Sequence, residues 1–214
     1  MNAAHDTAYA TRNYLAGGRA VSFGHQIHAI LSLEPTSVLE VGVGAGVVAA
    51  SLRRVGLPVT TLDIDPALDP DILASVTEIP ADDGTWSVAS CCQVLEHLPF
   101  DRFGDALREL HRVTSHGLVL SLPDVTRDIE FRVRLPRLGT RRFWAPVPLP
   151  PRRIPADRMT VMGHHWEIGF AGSPRARIET VMGVVGWEIE NSWRVPELPW
   201  HRFYILRHAA GTKA

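Results

Sequence analysis

Lysine is almost missing from these 214 residues: of 22 basic side chains only Lys213 is a lysine and the rest are arginines. We read this skew as a bias of the coding genome. Against them stand 23 acids, so the net charge is −1 and no global field points to nucleic acid or an anionic membrane. Cysteine is scarce too. The two present, Cys91 and Cys92, are adjacent inside an apolar run, where a disulfide staple is implausible and buried reduced thiols are the expectation. No run of 18 apolar residues occurs, and MNAAHDTAYATRNY has no basic segment followed by an apolar one. The expectation is a protein neither exported nor membrane-inserted, in a reducing cytoplasm. A length of 214 residues suits one domain with one core.

What is present is a rhythm of strands and helices. VSFGHQIHAILSL spaces Val21, Ile27, Ile30 and Leu31 for a helix over about Val21 to Leu33, which Pro35 stops. SVLEVG reads as a buried strand and AGVVAASLRRVG as a helix ending at Gly56. VTTLDID is a second strand, DILAS (Asp71 to Ser75) a third, WSVASCC a fourth and GLVLSLP a fifth. Too few residues separate the second and third for a full crossover helix. Between the fourth and fifth, Asp101 is expected to cap a helix whose inner face is Phe103, Ala106, Leu107, Leu110 and Val113. Ser173 as N-cap, Pro174 as first helical residue and Gly186 just past the end define a last helix. WEIENSWRV and HRFYILRH close the chain as an antiparallel pair. The fold expected is α/β: a doubly wound, Rossmann-like, seven-stranded and mostly parallel sheet with an antiparallel C-terminal strand.

The segment from Asp124 to Gly172 breaks this rhythm and is expected to be a lid inserted after strand five. From Asp124 to Thr160 it holds nine arginines (127, 132, 134, 137, 141, 142, 152, 153 and 158) against four acids, with Phe143 and Trp144 among prolines. An electropositive lid would suit a carboxylate, a phosphate or a nucleic-acid backbone; an Arg-biased genome writing a solvated loop is an equally weighted reading. The layout is thus one domain over 1–214: a helical cap (1–34), a core (35–123), the lid (124–172) and a closing helix and hairpin (173–208).

The first strand ends in LEVGVGAG. Gly42, Gly44 and Gly46 permit positive φ and let backbone approach a ligand beyond the strand ends. Glu40 precedes them and Asp63 ends the second strand, where a carboxylate can accept both hydroxyls of a ribose. The dinucleotide fingerprint spaces its glycines differently, and an acid before the first glycine is an awkward neighbour for phosphates. A cationic or zwitterionic nucleoside fits better.

VLEVGVGAG, TLDIDP and WSVASCCQVLEHLPFDRFGDALRELHRVT together resemble the class I S-adenosylmethionine-dependent methyltransferases, in particular the small bacterial type 11 domains. The resemblance spans about Ser37 to Pro123, and more weakly Ser173 to Arg207. It implies S-adenosylmethionine as methyl donor: Glu40 and the Gly42, Gly44 and Gly46 turn against its methionine part, Asp63 on the ribose and Ile64 on the adenine. Gln93 would line the same pocket. Ser75, followed by Val76, stands where the family often has an acid that accepts the adenine amino group.

Transfer from a sulfonium needs alignment first, and a base only if the acceptor brings its proton. His97 in QVLEHL, and His164, His165 and Glu167 in GHHWEIG, are the candidates for catalysis, with Trp166 placed to stack on an acceptor or the sulfonium. His97 as a structural histidine and GHHWEIG as an exposed turn are the competing readings, and His25 suits a surface role. Glu96 and His97 are too few ligands for a metal to be expected. The function expected is methyl transfer to oxygen or nitrogen of a small-molecule acceptor, for which the lid would favour an anion. RNA or protein methylation using the Arg-rich insert, and binding of the donor without catalysis, are the alternatives.

Overall fold

The computed structural model describes residues 11–12, 14–136, 139–147, 150, 153–155 and 161–209. Seven strands form one sheet: β1 (Val38–Val41), β2 (Val59–Asp63), β3 (Ile72–Leu73), β4 (Trp86–Cys92), β5 (Thr114–Pro123), β8 (Trp187–Val195) and β9 (Leu198–His208). Their order is β3-β2-β1-β4-β5-β9-β8. The first five pair in parallel, and β9 runs antiparallel to both β5 and β8. This is the expected sheet, reversed strand included.

Alternation along the strands sorts the core into two layers. Leu39, Ala89, Cys91, Leu118, Leu120, Tyr204 and Leu206 face the helices α3 (Phe103–Val113) and α4 (Arg175–Val185). Val38, Val88, Val119, Phe203 and Ile205 face α1 (Gly18–Ser32) and α2 (Val47–Arg54). The predicted inner face of α3, from Phe103 to Val113, is fully buried in the first layer. Because strand positions alternate, Glu40 lies on the α1/α2 side of β1, opposite to Leu39 and Val41. Cys91 and Cys92 are free thiols, and burial pushes both above the usual thiol range.

Local details differ from expectation. α1 begins three residues earlier than Val21. β3 is only two residues long, and the β2–β3 connection is a 3-10 turn, Pro66–Leu68, whose entry Asp65 caps by accepting from the Ala67 N–H at 2.9 Å. Asp101 does not cap α3: it lies in a preceding 3-10 turn, and Arg102 occupies the cap position without a side-chain bond. Ser173 does not cap α4 either. Its hydroxyl donates to the Glu167 carbonyl at 2.6 Å, Pro174 takes the cap position, and Gly186 ends the helix at φ 106° as expected.

The insertion contains an antiparallel hairpin, β6 (Asp128–Leu135) and β7 (Gly139–Pro146), separate from the main sheet. The hairpin is a correction to the expectation of an irregular lid: β6 carries a period of two, with Ile129, Phe131, Val133 and Leu135 between polar residues. The hairpin's base is anchored at Asp124, whose fully buried carboxylate accepts from Arg194 at 3.0 Å and Arg202 at 2.5 Å. Burial alone would raise this acid, but Arg194, Thr126 and Arg202 hold it below the usual range. Arg137, Arg152 and Arg158 lie outside the described residues, as do the side chains of Arg132, Arg141, Arg142, Phe143 and Trp144.

Candidate functional site

A cavity of about 850 Å³ opens at the carboxyl ends of the parallel strands, where a doubly wound sheet places its ligands. Its floor is the turn after β1. Gly42, Gly44 and Gly46 all have positive φ, at 85°, 52° and 67°, and Gly46 is the left-handed cap of α2. At Gly42 the need is also one of space: a Cβ there would stand 2.4 Å from Cγ2 of Val94. The first glycine therefore lets the β4 end close over the β1 end.

Asp63 locks that turn to β2. One carboxylate oxygen accepts from the Val43 N–H at 2.8 Å and the other from the Asp65 N–H at 3.0 Å. An ionised carboxylate has about four acceptor positions, so two such bonds leave capacity for a ligand's hydroxyls. Glu40 is 3% exposed, and its Oε2 has no hydrogen-bond partner. Burial raises its pKa to about 7, opposed by the Ala49 backbone and by Arg53. A cationic group in the cavity would restore the charge that burial suppresses.

Gln93 leaves β4 in a left-handed conformation (φ 58°), costly for a residue with a Cβ. Two bonds to Ser121 hold it there: its N–H to the carbonyl at 2.9 Å and its Nε2 to the hydroxyl at 2.9 Å. Ile64, 73% exposed, lines the cavity with Ser75 and the buried Val76. The Ser75 hydroxyl bonds Thr77 rather than standing alone.

The opposite wall was not visible in the sequence. Ser22 on α1 hydrogen-bonds Nδ1 of His201 on β9 at 2.8 Å, across 179 residues of chain, and Gln26 donates to Ser90 at 2.9 Å. All four side chains are buried. Burial and the Arg19 cation push the His201 pKa down to about 3, so this imidazole is neutral. Ser22, Gln26 and His201 line the cavity together with Arg19, whose guanidinium sits 4.4 Å over the Tyr14 ring. No periodicity or short motif could have paired α1 with β9.

At the far end, the turn after β4 meets the chain returning from the insertion. His97 and His164 pack edge to face at 4.9 Å between centroids. His164 Nδ1 is 2.8 Å from Oε1 of Glu167, and both residues are buried. His97 Nδ1 is 3.3 Å from the Gly163 carbonyl. Glu96 beside them is fully buried with neither carboxylate oxygen hydrogen-bonded, and burial with the nearby Glu167 charge raises its pKa to about 8. Burial, His164 and His165 lower that of His97.

The structure thus gathers His97, His164 and Glu167, but not His165. That residue is exposed and lines a separate cleft with Phe100, Phe170 and Arg177, while its N–H donates to the Glu96 carbonyl at 2.8 Å. Trp166 is 3% exposed, packs edge to face on Phe100 and Phe103, and donates Nε1 to the Leu98 carbonyl at 3.0 Å. It is a core anchor that fixes the loop, and it borders the separate cleft of His165 rather than the large cavity. His25 accepts from Trp193 Nε1 at 3.2 Å and is half-buried. None of the described residues of β6 and β7 lines the cavity; Val161, Met162, Gly163 and His164, in the later part of the insertion, do.

The strand order, the reversed β9 and a glycine turn flanked by acids at the ends of β1 and β2 define a class I methyltransferase fold. The family model described as "Methyltransferase domain" matches residues 15–167. The chain belongs to this methyltransferase family.

Solved structures agree on the fold. An N-methyltransferase, NodS, from Bradyrhizobium japonicum WM9 in complex with S-adenosylhomocysteine superposes with a TM-score of 0.62 at 11% identity, over 94% of each chain. The magnesium protoporphyrin IX methyltransferase of Synechocystis PCC 6803, with S-adenosylmethionine bound, gives 0.59 at 13%, over 90% of this chain and 80% of its own. The 1,6-didemethyltoxoflavin-N1-methyltransferase of Burkholderia thailandensis gives 0.56 at 16%, over 88% and 77%. No curated protein sequence matches the chain. Among the described residues no helix is long and apolar enough to cross a membrane.

Proposed function

We propose that this methyltransferase moves the methyl group of S-adenosylmethionine to an oxygen or nitrogen of a small-molecule acceptor. The observation that carries this is one continuous cavity with unlike ends: carboxylates and a glycine turn at one, imidazoles at the other. Asp63 accepts from the ribose hydroxyls, Ile64 and Val76 flank the adenine, and Glu40 faces the ammonium of the methionine part. The donor's sulfonium then points along the cavity toward Gln93, His97 and His164.

Displacement at the methyl carbon is in line, and holding the acceptor atom about 3 to 3.5 Å from it supplies most of the rate. For an acceptor that arrives protonated, His97 or His164 takes the proton in the metal-free protein, Glu167 orienting the latter through its Nδ1. Val161 to His164, in the later part of segment 124–172, close this end, which gives the segment its role as cover and chooser of acceptor. The reduced thiols fit a cytoplasmic enzyme. A cavity of about 850 Å³ lies within the range for small ligands, roughly 300 to 1,000 Å³.

Calorimetry with S-adenosylmethionine and S-adenosylhomocysteine tests the donor assignment. Binding of both is expected, with a loss of at least about 10-fold for Asp63→Ala, the equivalent of one charge-assisted hydrogen bond. Absence of binding, or binding indifferent to Asp63→Ala, would sink it. Methyl transfer into an unfractionated small-molecule extract but not into RNA or protein from the same cells separates the acceptor classes.

A further inference from the structure

We infer that Glu96, His97 and His164 form a binding site for a divalent transition-metal ion at the acceptor end of the cavity. One donor atom from each of the three side chains lies within 4.8 Å of the others. Donors bound to a common ion stand roughly 3 to 4 Å apart, so small side-chain rotations close the set. Two parts of the chain converge here, Glu96 and His97 from the turn after β4 and His164 from the later part of the insertion.

Two further features mark a built site. A carboxyl group that is fully buried with both oxygens unpartnered, as Glu96 is, is unfavourable unless a charge or a donor meets it. No protein group in the described residues does so through a hydrogen bond. Both imidazoles, in turn, have Nδ1 at hydrogen-bonding distance from an acceptor: the Gly163 carbonyl for His97 and the buried Glu167 carboxylate for His164. Those partners hold the proton on Nδ1 and leave a lone pair on Nε2. Metal-bound histidines are oriented in the same way, through a carboxylate or a carbonyl on the other nitrogen.

Gly163 has the geometry this arrangement requires. Its φ is 68°, and a Cβ there would stand 3.3 Å from His97 Nδ1, crowding the ring. The donor set is two imidazoles and one carboxylate. It suits Zn²⁺, Co²⁺ or Mn²⁺ and is poor for Mg²⁺ or Ca²⁺, which favour all-oxygen shells. Three protein ligands leave positions open toward the cavity.

The consequence for chemistry rests on the methyl-transfer reading. An acceptor hydroxyl coordinated at an open position is acidified and gives its proton to water. Its oxygen forms the new bond to the methyl carbon as the sulfur–methyl bond breaks, and the donor's sulfonium leaves as a neutral thioether. His97 and His164, being ligands, then take no proton.

The test uses the whole protein without a purification tag, stripped with chelator and dialysed. Titration with Zn²⁺ by calorimetry should give one site of roughly micromolar affinity or tighter, with Mg²⁺ producing no comparable heat. Co²⁺ should give the visible absorption of a low-coordinate nitrogen and oxygen site. Glu96→Gln, close in shape, and His97→Ala, at an exposed position, should each abolish that site, while Glu167→Gln weakens it by roughly 10- to 100-fold. Far-ultraviolet circular dichroism reports whether each variant folds, and His97→Ala decides the matter if Glu96→Gln does not. No stoichiometric binding by the wild type, or binding unchanged in these variants, overturns the site. S-adenosylmethionine binding, measured on the same samples, fails or succeeds separately and reports on the methyl-transfer reading alone.

Discussion

Substitution of Gly42 by alanine probes the joint between the ends of β1 and β4. Two costs add. The residue sits at φ 85°, a conformation that costs a side-chain-bearing residue about 1 to 2 kcal/mol. The new Cβ would meet Val94 Cγ2 at 2.4 Å, and a β-branched side chain has little rotamer freedom to yield, so overpacking adds about 1 to 3 kcal/mol. The expected loss is about 2 to 5 kcal/mol, a large share of the roughly 5 to 15 kcal/mol that holds a domain. Val94→Ala in the Gly42→Ala background should recover the second part and not the first, an interaction of about 1 to 3 kcal/mol in a double-mutant cycle. Urea unfolding of the four proteins measures it. Because Val94 follows the strained Gln93, Gly42→Ala should also weaken S-adenosylhomocysteine binding, by roughly 10-fold for each 1.4 kcal/mol transferred to the site. Additivity within about 0.5 kcal/mol would refute the steric account and leave backbone conformation as the whole cost.

Glu40, raised to about 7 from 4.5, holds an extra proton in the folded, ligand-free protein. Its contribution to stability is therefore fully present below pH 4.5 and is lost as pH rises through 7, by on the order of 3 kcal/mol. Thermal unfolding across that window should show the slope, and Glu40→Gln should flatten it. Donor binding has the opposite sign: it should tighten as pH climbs through 7 and release a proton, read as calorimetric enthalpies that depend on buffer. His164→Ala should slow transfer while sparing donor binding, and His165→Ala, outside the cavity, should leave both unchanged. Equal rates for the two in a turnover assay would count against the His164 assignment. Asp124→Asn leaves two buried guanidinium groups without their counter-charge, so a loss of about 3 to 5 kcal/mol is expected in urea unfolding. A loss under about 1 kcal/mol would mean that Asp124 does not anchor the insertion.

Hydrophobic period, turn residues and the spacing of acids from glycines made the sheet, its helices and the donor end of the cavity legible. These signals are local: β1 announces itself as a buried apolar run, α3 by an apolar stripe, the turn after β1 by alternating glycines. Errors fell where a local signal has two solutions. Ser173 and Asp101 are good caps, but each lies where the chain bends for tertiary reasons, Ser173 to fasten the Glu167 carbonyl. The insertion's hairpin was legible in part: β6 alternates Asp128, Glu130, Arg132 and Arg134 with Ile129, Phe131, Val133 and Leu135, the period of a strand, and only its partner β7 lacks that period.

Sequence by itself determined a methyltransferase-type nucleoside site, because the glycine turn, Glu40 and Asp63 are carried by two adjacent strands whose ends must meet in a parallel sheet. It also proposed His97, His164, His165 and Glu167 as a set. Only the tertiary structure decided that His164 turns inward onto Glu167 while His165 turns out, since one residue's rotation along an irregular loop cannot be read from pattern. The pairing of Ser22 with His201, and the meeting of Glu96 and His97 with His164, belong to the tertiary structure too. Each joins residues from separate elements, and what brings them together is packing against the sheet, a long-range energy that no short stretch of chain contains.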